Sequence, residues 1–542
     1  QSIAAEQGIP EKEIPVRTRG IIEKLATNFS PNILALFAMI MTVLWRRLYQ
    51  GFEISVEDMN RVRDAVGKGP LLLLPCHRSH IDYLAISETM NASNIMLPHI
   101  AAGDNLAFWP MEFFFRSCGA FFIRRKFVDD KFYRAVVNAY IRRLIHENYT
   151  IEVFIEGGRS RTGKMLRPKT GMLEMALNAM ATSPGKDPGV LPMFIGYDRV
   201  IEEESYIREA LGRSKTSESV FGLLKSMKVL LRKYGKLYVR SGSFFTVREI
   251  LSSAGVTADQ LSDGGVRRDV AQLIALRTLK NINANSVVNI SSVLAAVLLS
   301  HPRARMKKSV LRERAGFLAR LLKASGIHLA DRVQALLSDG AEASLDGALR
   351  QFMKDRRIQI VMKADDPVYE IRHGARLGLD YYKNNLLHCF VPAAFVGATL
   401  LSSTSADRQQ IENDLEQMCA LFRWEFLLPD VKAEGRGELQ ALLDKALSFL
   451  QDTGLVQQNN DSMWAVGDRE NLSFVTGLLR TYCETYHCAL LVTRERVLVD
   501  GSLNTNTAYR RLFESRLKSG TYRMHEGLNR ITVQSAFSAL KD

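Results

Sequence analysis

The sequence predicts an α/β fold in its first half, a mostly parallel sheet flanked by helices, joined to a mostly α C-terminal region. Three observations carry that reading. Short apolar runs alternate with helix-period segments between residues 54 and 250, the pattern of a sheet with crossover helices. Beyond residue 250 the strand signals thin and long helical stretches take over. The 542 residues, 46% hydrophobic and 24% charged, have a globular balance and enough length to bury a core without staples.

Taken in order, residues 1–53 form an N-terminal helical segment, with a helical pattern from Ile21 to Tyr49. Its stretch Ile33–Trp45 is apolar almost all round and ends in Arg46-Arg47, cations that suit a helix C-terminus. Buried packing and an interfacial anchor with arginines at the headgroups both fit it. At about 13 residues it is short of the ~20 of a spanning helix, so no transmembrane helix is expected.

Residues 54–250 form the α/β domain. Its strands are expected at Leu71–Leu74, Ile95–Ile100, Ala120–Ile123, Ile151–Ile155, Val190–Ile195 and Leu237–Val239, with helices such as Lys131–Glu147 and Met172–Ala181. Residues 251–425 form a helical region, with helices at Val266–Leu279, Val287–Leu299, Ser309–Ala324 and Asp407–Phe422. Residues 426–542 form a mostly helical C-terminal domain, with helices at Glu438–Thr453 and Asn471–Thr485.

The charge is +14, which favours an anionic partner: nucleic acid, an acidic membrane or a phosphorylated substrate. Half of that excess falls between Gly119 and Lys169. Six cysteines are too few for a disulfide scaffold, and a reducing intracellular setting is the simpler expectation. Cys483, His487 and Cys488 lack a second pair at zinc spacing and read as packing residues. The first residues, Gln1 to Glu13, lack the early apolar core of a signal peptide.

Four clusters follow strand candidates, where ligands gather in such sheets. After Leu71–Leu74 come His77-Arg78-Ser79-His80-Ile81-Asp82. Five residues set His77 and Asp82 about 140° apart on one helix. They meet only if His77 lies on the loop and Asp82 in the first helical turn, with Ser79 as N-cap and Asp82 as the acid of a capping box. A plain helix cap fits the same residues. The second cluster, Gly119 to Lys126, ends in Arg124-Arg125-Lys126, an anion site or a solvated charge run. The third, Phe154 to Lys164, sets paired glycines beside Arg159 and Arg161, forks suited to phosphate oxygens. It lacks the ending of a nucleotide-binding P-loop. The fourth, Val190–Asp198, is an apolar strand with Pro192 near its start, a buried strand or the wall of an acyl channel.

Together the clusters resemble the four blocks of the glycerolipid acyltransferases: His-x4-Asp, Gly-x-x-Phe-Ile-Arg-Arg, Phe-x-Glu-Gly-x-Arg-Ser-Arg and a Pro-bearing apolar strand. They stand here as His77…Asp82, Gly119…Arg125, Phe154…Arg161 and Leu191–Tyr197. Within that superfamily the chain looks most like the glycerol-3-phosphate 1-O-acyltransferases of the large, membrane-bound bacterial type. The likeness runs on at Tyr381–His388 and Leu421–Leu428. The large bacterial enzymes carry a further helical N-terminal region that this sequence mostly lacks.

The resemblance implies His77 as general base on the sn-1 hydroxyl of glycerol 3-phosphate, with Asp82 fixing its tautomer. The alkoxide-like oxygen would attack a thioester of CoA or acyl carrier protein directly, without an acyl-enzyme. Arg124, Arg125, Arg159 and Arg161, with Lys126 and Ser160, would hold the phosphate; Glu156 and Gly157 would shape the loop. Pro192 and Phe194 would line the acyl-chain pocket. No metal or organic cofactor is implied. The expected partners are glycerol 3-phosphate, acyl-CoA or acyl carrier protein, and a phospholipid surface, on the cytoplasmic side of the inner membrane as a peripheral protein. Dihydroxyacetone phosphate or a lysophospholipid is the rival acceptor. Nucleic acid is not expected, because no binding module with interleaved aromatics is present.

Overall fold

The computed structural model describes residue 6 and residues 8–124, 130–182, 185–212, 232–301, 305–363, 365–403, 405–429, 435–459, 462–498 and 505–541. Arg125 and Lys126 lie outside them. The described residues fall into two compact units. One comprises those within Gln1–Ser160, Leu166–Ile201 and Ser217–Ser286; the other, those within Arg161–Met165, Glu202–Thr216 and Val287–Asp542.

The first unit is the α/β layer that the sequence predicts. Its strands are β1 (Gly51–Glu53), β2 (Leu71–Pro75), β3 (His99–Gly103), β4 (Ala120–Ile123), β5 (Thr150–Glu152), β6 (Gly189–Tyr197), β7 (Lys236–Ser241) and β8 (Phe245–Thr246). They lie in the order β1-β7-β6-β2-β5-β3-β4, with β8 also on β6. The run from β6 through β2, β5 and β3 to β4 is parallel. Strand β7 is antiparallel to β6, and β1 is parallel to β7. Strand β2 is buried throughout, as its continuous Leu run requires of a central strand covered on both faces.

The helices that matter here are α1 (Ile14–Leu25), α2 (Pro31–Leu48), α3 (Val56–Gly67), α4 (Asp82–Ala92), α5 (Met111–Ser117), α6 (Lys131–His146) and α7 (Gly171–Ala181). The single helix read over Ile21–Tyr49 is two. Ser30 is extended before Pro31, as the steric demand of the proline ring requires. The break is tied down by Asn28 N–H on Arg116 O (3.1 Å) and Ser30 N–H on Ser117 O (3.0 Å). The Arg116 guanidinium also donates to the carbonyls of Glu23 and Ala26.

Helix α2 has 18 residues and is long and apolar enough, by length and composition, to cross a membrane. It exceeds the 13-residue apolar core because Pro31 starts it and Arg46, Arg47 and Leu48 continue it. Met41, Trp45 and Leu48 are buried, whereas Leu36, Met39, Ile40 and Val43 are exposed.

Strand β3 begins later than expected. Ile95 N–H closes α4 on Met90 O, Asn94 takes φ 53°, and Pro98 has no N–H to give a ladder. The sheet unit also continues past residue 250, because the helix Gly264–Ala284 packs on β6 and α7.

The second unit is mainly helical. The helix Ile290–Ser300, buried from Ile290 through Leu299, packs on Arg376–Asn384, and Val391–Ser402 packs on Arg408–Phe422, Arg436–Asp452 and Arg469–Gly477. The helix expected from Val287 starts with a strand, Val287–Val288, paired to His328–Leu329; Asn289 then caps the helix by accepting Ser292 N–H at 3.0 Å. The stretch Asn471–Thr485 is split between Arg469–Gly477 and Arg480–Leu498.

Candidate active site

The site starts where β2 ends. Pro75 is its last residue, and the chain turns through Cys76–Ile81 before α4 opens at Asp82. His77 therefore sits on the turn and Asp82 at the first helical position, the arrangement their spacing demands. His77 Nδ1 lies 2.7 Å from Asp82 Oδ2. The same oxygen accepts the N–H of Arg78 (2.6 Å) and of Ser79 (2.9 Å). Ser79 is not the N-cap that the spacing suggests: Ile81 holds that position without a side-chain cap, and the Ser79 hydroxyl accepts Ile81 N–H at 3.4 Å. Tyr197, at the end of β6, donates its hydroxyl to Asp82 Oδ1 at 2.5 Å.

Asp82 is fully buried, while the His77 side chain keeps 17% exposure. A carboxylate accepting at Nδ1 requires the proton there, so Nε2 carries the lone pair. The imidazole also lies tilted against the Phe154 ring, with centroids 4.2 Å apart. One nitrogen is thus fixed, and the other can take a proton from a bound hydroxyl.

The third cluster closes round the same turn. Glu156 Oε1 accepts His77 N–H and Oε2 accepts Leu166 N–H, both at 2.7 Å. Ser160 N–H donates to His77 O at 2.8 Å. Burial raises the Glu156 carboxyl above its ordinary range, with Arg78 and the two N–H donors opposing that shift. Gly157 has φ +61°, and a Cβ there would sit 2.5 Å from Lys169 Cγ. Only glycine fits that turn without strain.

Cys76 is packed rather than poised. Its Sγ donates to Ile195 O (3.4 Å) and accepts Ile195 N–H (3.2 Å), and burial pushes the thiol up to about 12. A thiol protonated at neutral pH is no nucleophile.

The cationic residues separate. Arg124 follows β4, stacks over Tyr133 at 4.5 Å and pairs with Asp130 at 3.5 Å. Arg159 is half-buried in the first unit, and Ser160 is fully buried there. Arg161 belongs to the second unit, where it forms an ion pair with Glu209. There it lines a small cleft with Glu203, Tyr206, Asp380 and Tyr381. Lys164, two residues from the cleft-lining Thr162, is buried in an ion pair with Glu425. Pro192 and Phe194 lie on β6, buried among its core residues.

Three participants escaped the sequence reading. In the sequence Tyr197 is the end of an apolar block and Arg78 one residue of the His77–Asp82 turn. Glu152 is fully buried on β5, and its two carboxyl oxygens have no hydrogen-bond partner among the described residues. Burial, then the Asp82 charge, holds that carboxyl well above its ordinary range. An acid inside the apolar run Ile151–Ile155 was the available signal.

With this geometry in place, the known proteins bear on it. The family model described as glycerol-3-phosphate acyltransferase C-terminal region matches residues 206–542. The chain belongs to that family. A general acyltransferase model matches residues 53–196, the stretch that holds His77, Asp82 and Glu156. A glycerol-3-phosphate acyltransferase of Shewanella baltica is 28% identical over 85% of this chain and 56% of its own length. Its namesake from Shewanella pealeana is 30% identical over 75% of this chain and 50% of its own length. The one from Pseudoalteromonas translucida is 28% identical over 85% and 56%. The chain therefore spans about half the length of these relatives. The crystal structure of the 1-acyl-sn-glycerophosphate (LPA) acyltransferase PlsC from Thermotoga maritima aligns at 17% identity and TM-score 0.27, over 46% of this chain and 78% of that one.

Proposed function

We propose that this chain transfers a fatty acyl group from a CoA or acyl-carrier-protein thioester to the sn-1 hydroxyl of glycerol 3-phosphate, giving 1-acylglycerol 3-phosphate. The observation that carries the reading is His77 Nδ1 on a fully buried Asp82 at 2.7 Å. That pair leaves Nε2 to take the hydroxyl proton as the oxygen attacks the thioester carbonyl. The proton then passes from the imidazolium to the leaving thiolate. Asp82 stabilises the imidazolium formed between the two steps. Direct attack needs no enzyme nucleophile, and Cys76 offers none. The glycerol-3-phosphate name of the relatives and the cations of the second and third clusters support a phosphorylated acceptor.

Arg124 and Arg159 are proposed to hold the phosphate. Pro192 and Phe194 are proposed to lie along the acyl chain. The exposed apolar face of α2, beside Arg46 and Arg47, supports peripheral docking on an anionic membrane face, at the inner membrane on its cytoplasmic side. The test is thiol release from palmitoyl-CoA with glycerol 3-phosphate, dihydroxyacetone phosphate or lysophosphatidic acid as acceptor. Release that depends on glycerol 3-phosphate supports the reading; release with either rival acceptor alone reassigns the substrate.

A further inference from the structure

We propose that Tyr197 is a positioning residue for the His77–Asp82 pair, acting through its hydroxyl rather than its ring; this rests on the base assignment above. Among the described residues, four donors meet the buried Asp82 carboxylate, and three of them, His77 Nδ1 and the N–H groups of Arg78 and Ser79, share Oδ2. All three belong to the turn that the carboxylate itself organises. Among the described residues, the Tyr197 hydroxyl is the one donor that reaches Oδ1, at 2.5 Å, and it comes from β6, which pairs with β2 over Gly189–Met193 and with β7 over Met193–Tyr197. A carboxylate held at one oxygen can pivot about its last torsion, which is broad and soft. A donor on the second oxygen fixes its plane, and with it the direction in which Oδ2 meets Nδ1. The Tyr197 ring is itself buried and lies against Tyr49, centroids 6.0 Å apart.

The hydroxyl also tempers the charge seen by the imidazole. A carboxylate that has lost a donor is a stronger partner for imidazolium, so the pH dependence of the rate should respond to loss of the hydroxyl. The other charged or titratable groups about the pair include Cys76, Arg78 and His80 on its own turn, Glu152 on β5 and Glu156 on the following loop. None of them donates a hydrogen bond to Oδ1 among the contacts described.

The experiment compares Tyr197→Phe, Tyr238→Phe and His77→Ala as full chains with palmitoyl-CoA and glycerol 3-phosphate. Tyr238 is a matched control: it is buried on the neighbouring strand β7 and donates to Asp198 Oδ1 at 3.0 Å. Tyr197→Phe is expected to lose about tenfold in kcat, the scale of one charge-assisted hydrogen bond. Both KM values should hold, and the acid limb of the pH–rate profile should move. Tyr238→Phe should melt about as early as Tyr197→Phe yet keep the wild-type kcat and profile. Wild-type kcat with an unmoved acid limb in Tyr197→Phe overturns the inference while leaving the base assignment standing if His77→Ala is dead. Equal kcat losses in the two phenylalanine variants also overturn it, since loss of a buried hydroxyl anywhere would then suffice. A His77→Ala protein with near-normal turnover removes the base assignment and this inference together.

Discussion

Glu156 accepts the backbone N–H of His77 at 2.7 Å through one carboxyl oxygen and that of Leu166 at 2.7 Å through the other. A single buried carboxyl thus fastens the turn that bears the base to the far side of its own loop. The acid of the third motif shapes the site without touching the imidazole.

Replacing Glu156 by Gln puts an amide N–H against one of those two N–H donors. The expected cost is about 1–3 kcal/mol, the penalty of a buried polar group left unpaired. The melting temperature should fall, and kcat with it, because His77 rides on the same turn. Unchanged melting and turnover would show that the loop holds without this clasp.

Glu152 gives a pH-dependent prediction whose sign is fixed. Its folded carboxyl keeps a proton above the ordinary range, so between the two values the native state binds more protons than the unfolded chain. Stability then falls as pH rises across that window. Glu152→Gln has no proton to lose, so its melting temperature relative to wild type should climb from pH 5 to pH 8. A difference that stays flat with pH would mean the carboxyl is ionised in its strand.

Arg159→Ala should raise KM for glycerol 3-phosphate about tenfold or more, on the scale of about 1.5–3 kcal/mol for a hydrogen bond to a charged group. KM for the acyl thioester should hold. A rise confined to the thioester would move Arg159 to the donor side.

Met39→Glu with Val43→Glu places two charges on the exposed apolar face of α2. Co-sedimentation with anionic phospholipid vesicles should drop sharply, with the melting temperature unchanged because neither side chain is buried. Undiminished sedimentation would put the membrane contact elsewhere.

Much of the first unit was legible because its signals are local. An unbroken Leu run between Gly69-Pro70 and Pro75 reads as a covered strand, and His77 and Asp82 five residues apart can meet only across a turn into a helix. Long-range packing decided the rest. The break at Ala26–Ser30 is held by Arg116, some ninety residues on. The helix Gly264–Ala284 joins the sheet unit by packing on β6, not by composition. Arg161 and Arg159 read as twins in one motif, yet Arg159 falls in the first unit and Arg161 in the second, where it pairs with Glu209. Tyr197 matters for where its hydroxyl lands, which no periodicity reveals.

The most direct test is the rate of thiol release from palmitoyl-CoA, with and without glycerol 3-phosphate, by the wild-type chain and by His77→Ala. The expected result is release that requires glycerol 3-phosphate and vanishes in a folded His77→Ala protein. Release independent of glycerol 3-phosphate, or near-normal turnover without the His77 imidazole, would contradict direct base-assisted acyl transfer.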